Sequence, residues 1–329
     1  MRGGIWVSYS RLIGERRFPQ EELIWVSIEH MHNEKHHRPH PSDVPLYGGV
    51  SGAFLPVPSF ELTEGIRLQR TYAHVMAPYI LAFGRAAEGS PHPGPWKSAS
   101  GGLGFDIEFE IVVPLGDRPT NFTRLNTIWW IAALIRLNQP CDLRVPVIST
   151  ESFSIIAQEL KEPTFWPIEM TPRRLTYIGG QTNTLELGTL KWLADHWQRS
   201  SSLMDIPSFN AAFQAFDQAS WSHDVGSALL MLWAAIEALF RPGNRDIART
   251  LSICIACYLE GPDASRDRLF ARVRDLYKLR GSTAHAAVTP QTQTASAVFE
   301  IGRRCFIKAF DQCILPEASG LMNKWKSKA

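Results

Sequence analysis

The spacing of apolar side chains changes partway along the chain, and that change restricts the fold more than any other feature. In GFDIEFEIVVPL, Phe105, Ile107, Phe109 and Ile111 alternate with Asp106, Glu108 and Glu110, the two-residue period of a strand with one buried face. From about residue 186 onward, apolar residues recur every three or four positions, the period of helices with one buried face. Such helices are expected over 186–200, 208–220, 223–240, 245–260, 265–285 and 292–314, and their short polar connections favour antiparallel neighbours. The expected class is therefore α+β: a mixed α/β N-terminal domain over 1–180, then an all-α antiparallel helical bundle over 181–329. The boundary is placed at Gly179 and Gly180, and a length of 329 residues suits two domains better than one core.

Within the first half, segments 20–30 and 59–70 read as extended, and Arg144 to Ser149 as a further strand. RLNTIWWIAALIRL, from Arg124 to Leu137, follows the turn-forming GDRPTN and reads as a helix with Asn121 or Thr123 as its N-cap. Gly, Pro and Ser crowd the stretch from Gly84 to Gly104, which reads as a loop.

Composition narrows the function classes. Hydrophobic residues make up 45% and charged residues 20%, which excludes a disordered chain. The wholly apolar runs Ile128 to Ile135 and Ala228 to Ile236 stop at Arg136 and Glu237, short of the ~20 residues that a bilayer requires. With no secretory h-region after Met1, a cytoplasmic protein without membrane contact is expected. Five scattered cysteines, Cys141, Cys254, Cys257, Cys305 and Cys313, read as reduced core thiols. The Cys254/Cys257 pair lacks the second pair that a zinc site would need. Five histidines (His30, His32, His36, His37 and His40) could bind a transition metal, but their polar, Pro-containing surroundings favour an exposed loop. No P-loop, Rossmann glycine pattern or nucleophile elbow is present, and neither cofactor nor metal is expected.

The net charge of +2, from 34 basic and 32 acidic residues, cannot coat a nucleic acid, so any such contact must be local. A local concentration exists between Arg266 and Arg280, where Arg266, Arg268, Arg272, Arg274, Lys278 and Arg280 outnumber Asp267 and Asp275. It ends in LYKLRGSTAHAA, where Arg280 and His285 stand five positions apart. In order, LLMLWAAIEALF, NRDIARTLSICIACYL, RVRDLYKLRGSTAHA and a closing helix resemble the ApeA-like branch of the HEPN (higher eukaryote and prokaryote nucleotide-binding) domains over about residues 208–314.

The resemblance implies a helical bundle and a metal-independent ribonuclease whose hallmark Arg and His are Arg280 and His285. It also implies an acidic partner at Glu237, a site shared between two protomers of a homodimer, and a mixed N-terminal domain ahead of the bundle. A bacterial defence or toxin-type effector is implied, its N-terminal domain answering an unidentified trigger. Where the family commonly has a polar residue after the Arg, this chain has Gly281. On that reading, His285 takes the proton of a substrate 2′-hydroxyl and the Arg280 guanidinium holds the phosphate as charge builds, so RNA is cut and DNA spared. Arg272, Arg274 and Lys278 are the RNA-binding candidates. The alternative is a non-catalytic HEPN-like module that binds nucleotide, RNA or a partner protein, with the Arg/His pair serving a helix end and Glu237 a polar exit from the core.

Overall fold

The computed structural model describes residues 41, 43–82, 97–116, 120–156, 158, 163–170, 183–222, 224–286 and 290–327. All of them lie in one compact unit, Pro41–Ala329. The expected strand at 20–30, the histidine run His30 to His40 and the boundary at Gly179/Gly180 lie outside the described residues.

The sheet is antiparallel, with strands β1 (Leu46–Ser51), β2 (Ser59–Thr63), β3 (Ile66–Ala82), β4 (Lys97–Val113), β5 (Arg144–Ser149) and β6 (Phe165–Pro167) in the order β2-β3-β4-β1-β5-β6. The expected extended segment at 59–70 is two strands hinged at Gly65, whose φ of 81° is left-handed. One expectation is corrected here. Lys97 to Gly104 is not loop but the first half of β4, because Ala82↔Lys97 through Met76↔Gly104 pair with β3 and supply the ladder that Gly and Ser do not favour on their own. Strand β1 was not expected from LYGGVS. Its glycines admit neighbours from both sides, since a Cβ at Gly48 would lie 2.5 Å from Ile128 Cγ2 and one at Gly49 2.9 Å from the Phe153 ring.

Helix α1 (Arg124–Asn138) packs on this sheet, capped by Thr123, whose hydroxyl accepts from Asn126 N–H at 3.1 Å. The remaining α-helices are α2 (Leu187–His196), α3 (Pro207–Gln218), α4 (Val225–Phe240), α5 (Ile247–Leu259), α6 (Ala264–Ala286), α7 (Thr292–Gln312) and α8 (Ala318–Lys326). The expected 186–200 helix stops early and gives way to a 3-10 helix, Arg199–Asp205. Among the described residues no helix is long and apolar enough to cross a membrane. Cys141, Cys254, Cys257 and Cys305 are buried and Cys313 partly exposed, and none of them forms a disulfide. Burial pushes the Cys254 thiol up to about 12.

Aromatic packing joins α1 to the helical region. Trp130 meets Phe213 and Phe310 edge-on, with ring centroids 5.4 and 5.5 Å apart, and its indole N–H donates to Trp197 O at 2.7 Å. Beside it lies Arg136, only 2% exposed. Its Nε and Nη2 donate to both oxygens of Asp217 on α3 at 2.9 and 2.7 Å, its Nη1 reaches both oxygens of Glu169 beyond β6 at 3.1 and 3.2 Å, and Trp221 lies 4.9 Å from its Cζ. Burial opposes the charge, but the two carboxylates outweigh it and hold the guanidinium's pKa above its ordinary value.

Glu110 departs from its alternating pattern, being 1% exposed where solvent was expected. It accepts from the Ser152 hydroxyl at 2.7 Å and from Phe153 N–H at 2.8 Å. Burial nevertheless pushes its carboxyl up, prevailing over those two hydrogen bonds.

Replacing Arg136 by Leu takes the cation away from buried Asp217 and part-buried Glu169 and is expected to destabilise the fold by about 3–5 kcal/mol in urea unfolding; a loss below about 1 kcal/mol would refute this account of the node. For Glu110 the sign follows from a raised native pKa. Its stabilising contribution is fully present below the unfolded carboxylate pKa and declines as pH rises through the native one. The stability gap between wild type and Glu110→Ala should therefore narrow between pH 4 and pH 7, and a gap that widens with pH would contradict it.

Candidate functional site

Two antiparallel helices position the residues singled out in the sequence. Helix α4 begins at the Asp224 cap, which accepts from Ser227 N–H at 2.9 Å, and its other end carries Glu237. Helix α6 buries Val273 and Leu276 and leaves Tyr277 and Arg280, one turn apart, half-buried against α4. Gly226 lets the helices close up, since a Cβ there would lie 3.3 Å from Thr283 Cγ2.

The three side chains converge. The Tyr277 hydroxyl donates to Glu237 Oε1 at 2.8 Å, and Arg280 Nε lies 3.2 Å from the same oxygen. That second contact is an ion pair without hydrogen-bond alignment, since Arg280 Nε has no aligned acceptor. The Arg280 Cζ sits 5.4 Å from the Tyr277 ring centroid, and the Trp233 ring meets Tyr277 edge-on at 5.0 Å. Burial, then the hydrogen bond to Glu237, push the Tyr277 hydroxyl up to about 12, so it stays a donor at neutral pH. Long helical side chains lean toward the helix N-terminus, which carries Arg280 back toward Glu237. Among the described residues, neither terminal nitrogen of Arg280 has a hydrogen-bond or ion-pair partner, and its side chain is 33% exposed. The arrangement is a guanidinium held at one edge and one face, with its outer fork open to an oxyanion.

His285 lies on the same helix, which runs unbroken to Ala286; its side chain lies outside the described residues. The backbone is helical through Gly281, Ser282 and Thr283, so the helix does not fray at the glycine, and the Thr283 hydroxyl donates to Leu279 O at 3.0 Å. On a continuous helix five residues separate two positions by roughly 140° beyond one turn and by about 7.5 Å along the axis. Beside Gly281, nothing among the described residues lies within 4 Å of where a Cβ would stand.

The basic candidates do not form one stripe. Arg266 is 5% exposed and donates to Gly261 O at 3.1 Å and Lys324 O at 3.3 Å, a structural role. Arg272, Arg274 and Lys278 are exposed, with Lys278 Nζ 3.1 Å from Asp275. Two residues along a helix turn through roughly 200°, so Arg272 joins Arg268 on one flank of α6 while Arg274 and Lys278 share the other. Among the described residues no group of three or more His, Cys, Asp or Glu side chains could hold a metal ion. In the sequence, the one-turn spacing of Tyr277 from Arg280 is the signal for its place beside the guanidinium.

No protein-family model, no curated protein and no solved structure matches the chain.

Gly281→Ala, placed in helix with open space around the new methyl, is expected to raise stability by about 0.5–1 kcal/mol. A loss of stability in thermal or urea unfolding would show that α6 is not regular helix at this position.

Proposed function

We propose that the helical region is a HEPN-like bundle and that the protein is a metal-independent endoribonuclease, a bacterial defence or toxin-type effector acting through Arg280, His285 and Glu237. The observation that carries this reading is the Arg280 fork, braced by Glu237 and the Tyr277 ring while its terminal nitrogens have no partner among the described residues. A guanidinium fixed in this way binds a phosphodiester bidentately and loses little freedom in doing so. His285 then accepts the 2′-hydroxyl proton, the freed oxygen attacks the adjacent phosphorus, and the 5′-oxygen departs with a proton, leaving a 2′,3′-cyclic phosphate.

The unbroken α6 favours a site assembled from two copies. One helix presents Arg280 and His285 on different sides, whereas a two-fold axis near this end of α6 sets the Arg of one copy opposite the His of the other. It also supplies a second imidazole, able to protonate the leaving oxygen. Arg272 on one flank of α6, and Arg274 and Lys278 on the other, add phosphate contacts from two sides, and the N-terminal domain responds to the trigger. The Glu237–Arg280 ion pair also suits a second reading, a non-catalytic module binding nucleotide, RNA or a partner protein, in which the pair only fastens α6 to α4.

Incubation of RNA with the full chain in EDTA separates the two. Cleavage is expected to persist, with 2′,3′-cyclic phosphate and 5′-hydroxyl ends. His285→Ala should lower turnover about 10²–10⁴-fold with little change in RNA affinity, and Arg280→Lys at least roughly tenfold. Variants that cut like wild type, or activity lost in EDTA and restored by Mg²⁺, would overturn the assignment.

A further inference from the structure

Away from α4 and α6, a histidine is offered more partners than one protonation state can satisfy. His196 ends α2 and is only 8% exposed. Its Nδ1 lies 2.7 Å from Trp192 O, one turn back, and a carbonyl can only accept, so Nδ1 carries hydrogen. Its Nε2 has two partners at once: Arg199 Nη2 at 2.8 Å, which can only donate, and Asp311 Oδ1 at 3.1 Å, which as a carboxylate can only accept. No single state of the ring serves both. A neutral ring accepts from Arg199 and turns a lone pair toward Asp311; a protonated ring donates to Asp311 and repels Arg199.

The surroundings make this choice mechanical. Asp311 lies in the last turn of α7, and its Oδ1 already accepts the Trp192 indole N–H at 2.8 Å. Arg199 opens the 3-10 helix and also donates through Nη2 to Asp311 O at 2.8 Å, a contact that survives when the ring lets go. The Trp192 ring stacks on His196 with centroids 4.5 Å apart and holds the imidazole in plane. Around the ring, α2 contributes Trp192, the 3-10 helix Arg199 and α7 Asp311; among the described residues no other charged side chain bonds to it.

We propose that His196 is a proton-operated latch between α2 and the C-terminal end of α7. Without the ring proton, α2 grips the 3-10 helix through Arg199. With it, the His196–Asp311 ion pair draws the last turn of α7 against α2 and leaves Arg199 on the Asp311 carbonyl alone. The latch does not depend on what the Arg280 site does.

The test is nitrogen-resolved NMR of the ¹⁵N-labelled full chain between pH 8 and pH 5, with His196 assigned through His196→Gln. At high pH the ring is expected in the Nδ1–H form, with Nε2 unprotonated. On acidification Nε2 gains a proton, and the Trp192 indole N–H resonance shifts with the same midpoint. Asp311→Asn should move that midpoint to lower pH and Arg199→Gln to higher pH. A neutral ring protonated on Nε2, a ring that keeps one protonation state across the range, or a Trp192 signal that ignores the titration would each overturn the latch. The wild-type measurements decide the matter even where a variant does not fold.

Discussion

The buried guanidinium of Arg136 is the tie on which the arrangement of sheet and helices depends. It projects from α1 and is met by Asp217 of α3, by Glu169 beyond β6 and by the face of Trp221. Each partner belongs to a different part of the chain, so a position that satisfies all of them fixes α1, the β5–β6 edge and α3 together. A buried ion cluster adds little net stability over well-packed apolar residues, but any arrangement that separates its members leaves a charge stranded in the core. Its contribution is selection among packings. The Trp130, Phe213 and Phe310 rings supply the burial, and Arg303 of α7 closes the end of α1 by donating to Asn138 O at 3.0 Å.

The candidate site inherits its geometry from that frame. Fixing α3 and α7 fixes α4 between them: a Cβ at Gly302 would fall 2.5 Å from the Phe216 ring and 3.4 Å from Ile236, so these three helices meet with no room for even a methyl group. Helix α4 then presents Glu237 to α6, where one carboxylate oxygen serves both the Tyr277 hydroxyl and the Arg280 guanidinium. Tyr277 makes the joint rigid from both sides, holding the carboxylate with its hydroxyl and lying under the cation with its ring. A guanidinium braced in this way is suited to bind an oxyanion without reorganising.

Much of this was legible because hydrophobic period is a local property. The helices from α3 to α7 fall within a few residues of their expected bounds, and Thr123 of the two candidate caps is the one used. What was not legible depends on partners distant in sequence. Arg136 reads as the end of an apolar run, yet its charge lies in the core because Asp217 and Glu169, 81 and 33 residues away, come to it. The glycines of β1 and the first half of β4 oppose strand formation locally, and the ladders from β4 and β5 to β1 and from β3 to β4 make them strand. Glu110 fits an alternating pattern whose polar side is covered by Ser152 and Phe153. At the site, the Arg280/His285 spacing and Glu237 could be read from the sequence, whereas the continuity of α6 through Gly281 could not, since glycine permits either outcome.

That continuity makes the shared site the central claim, and subunit mixing tests it most directly. Arg280→Ala and His285→Ala chains are each expected to be inactive alone. If Arg280 of one copy works with His285 of the other, mixed dimers retain one facing Arg280–His285 pair of two but lack the second imidazole, and an equal mixture after subunit exchange should recover cleavage up to about a quarter of the wild-type rate. An active wild-type protein whose exchanged mixture remains dead, or which cuts RNA as a strict monomer, would contradict it.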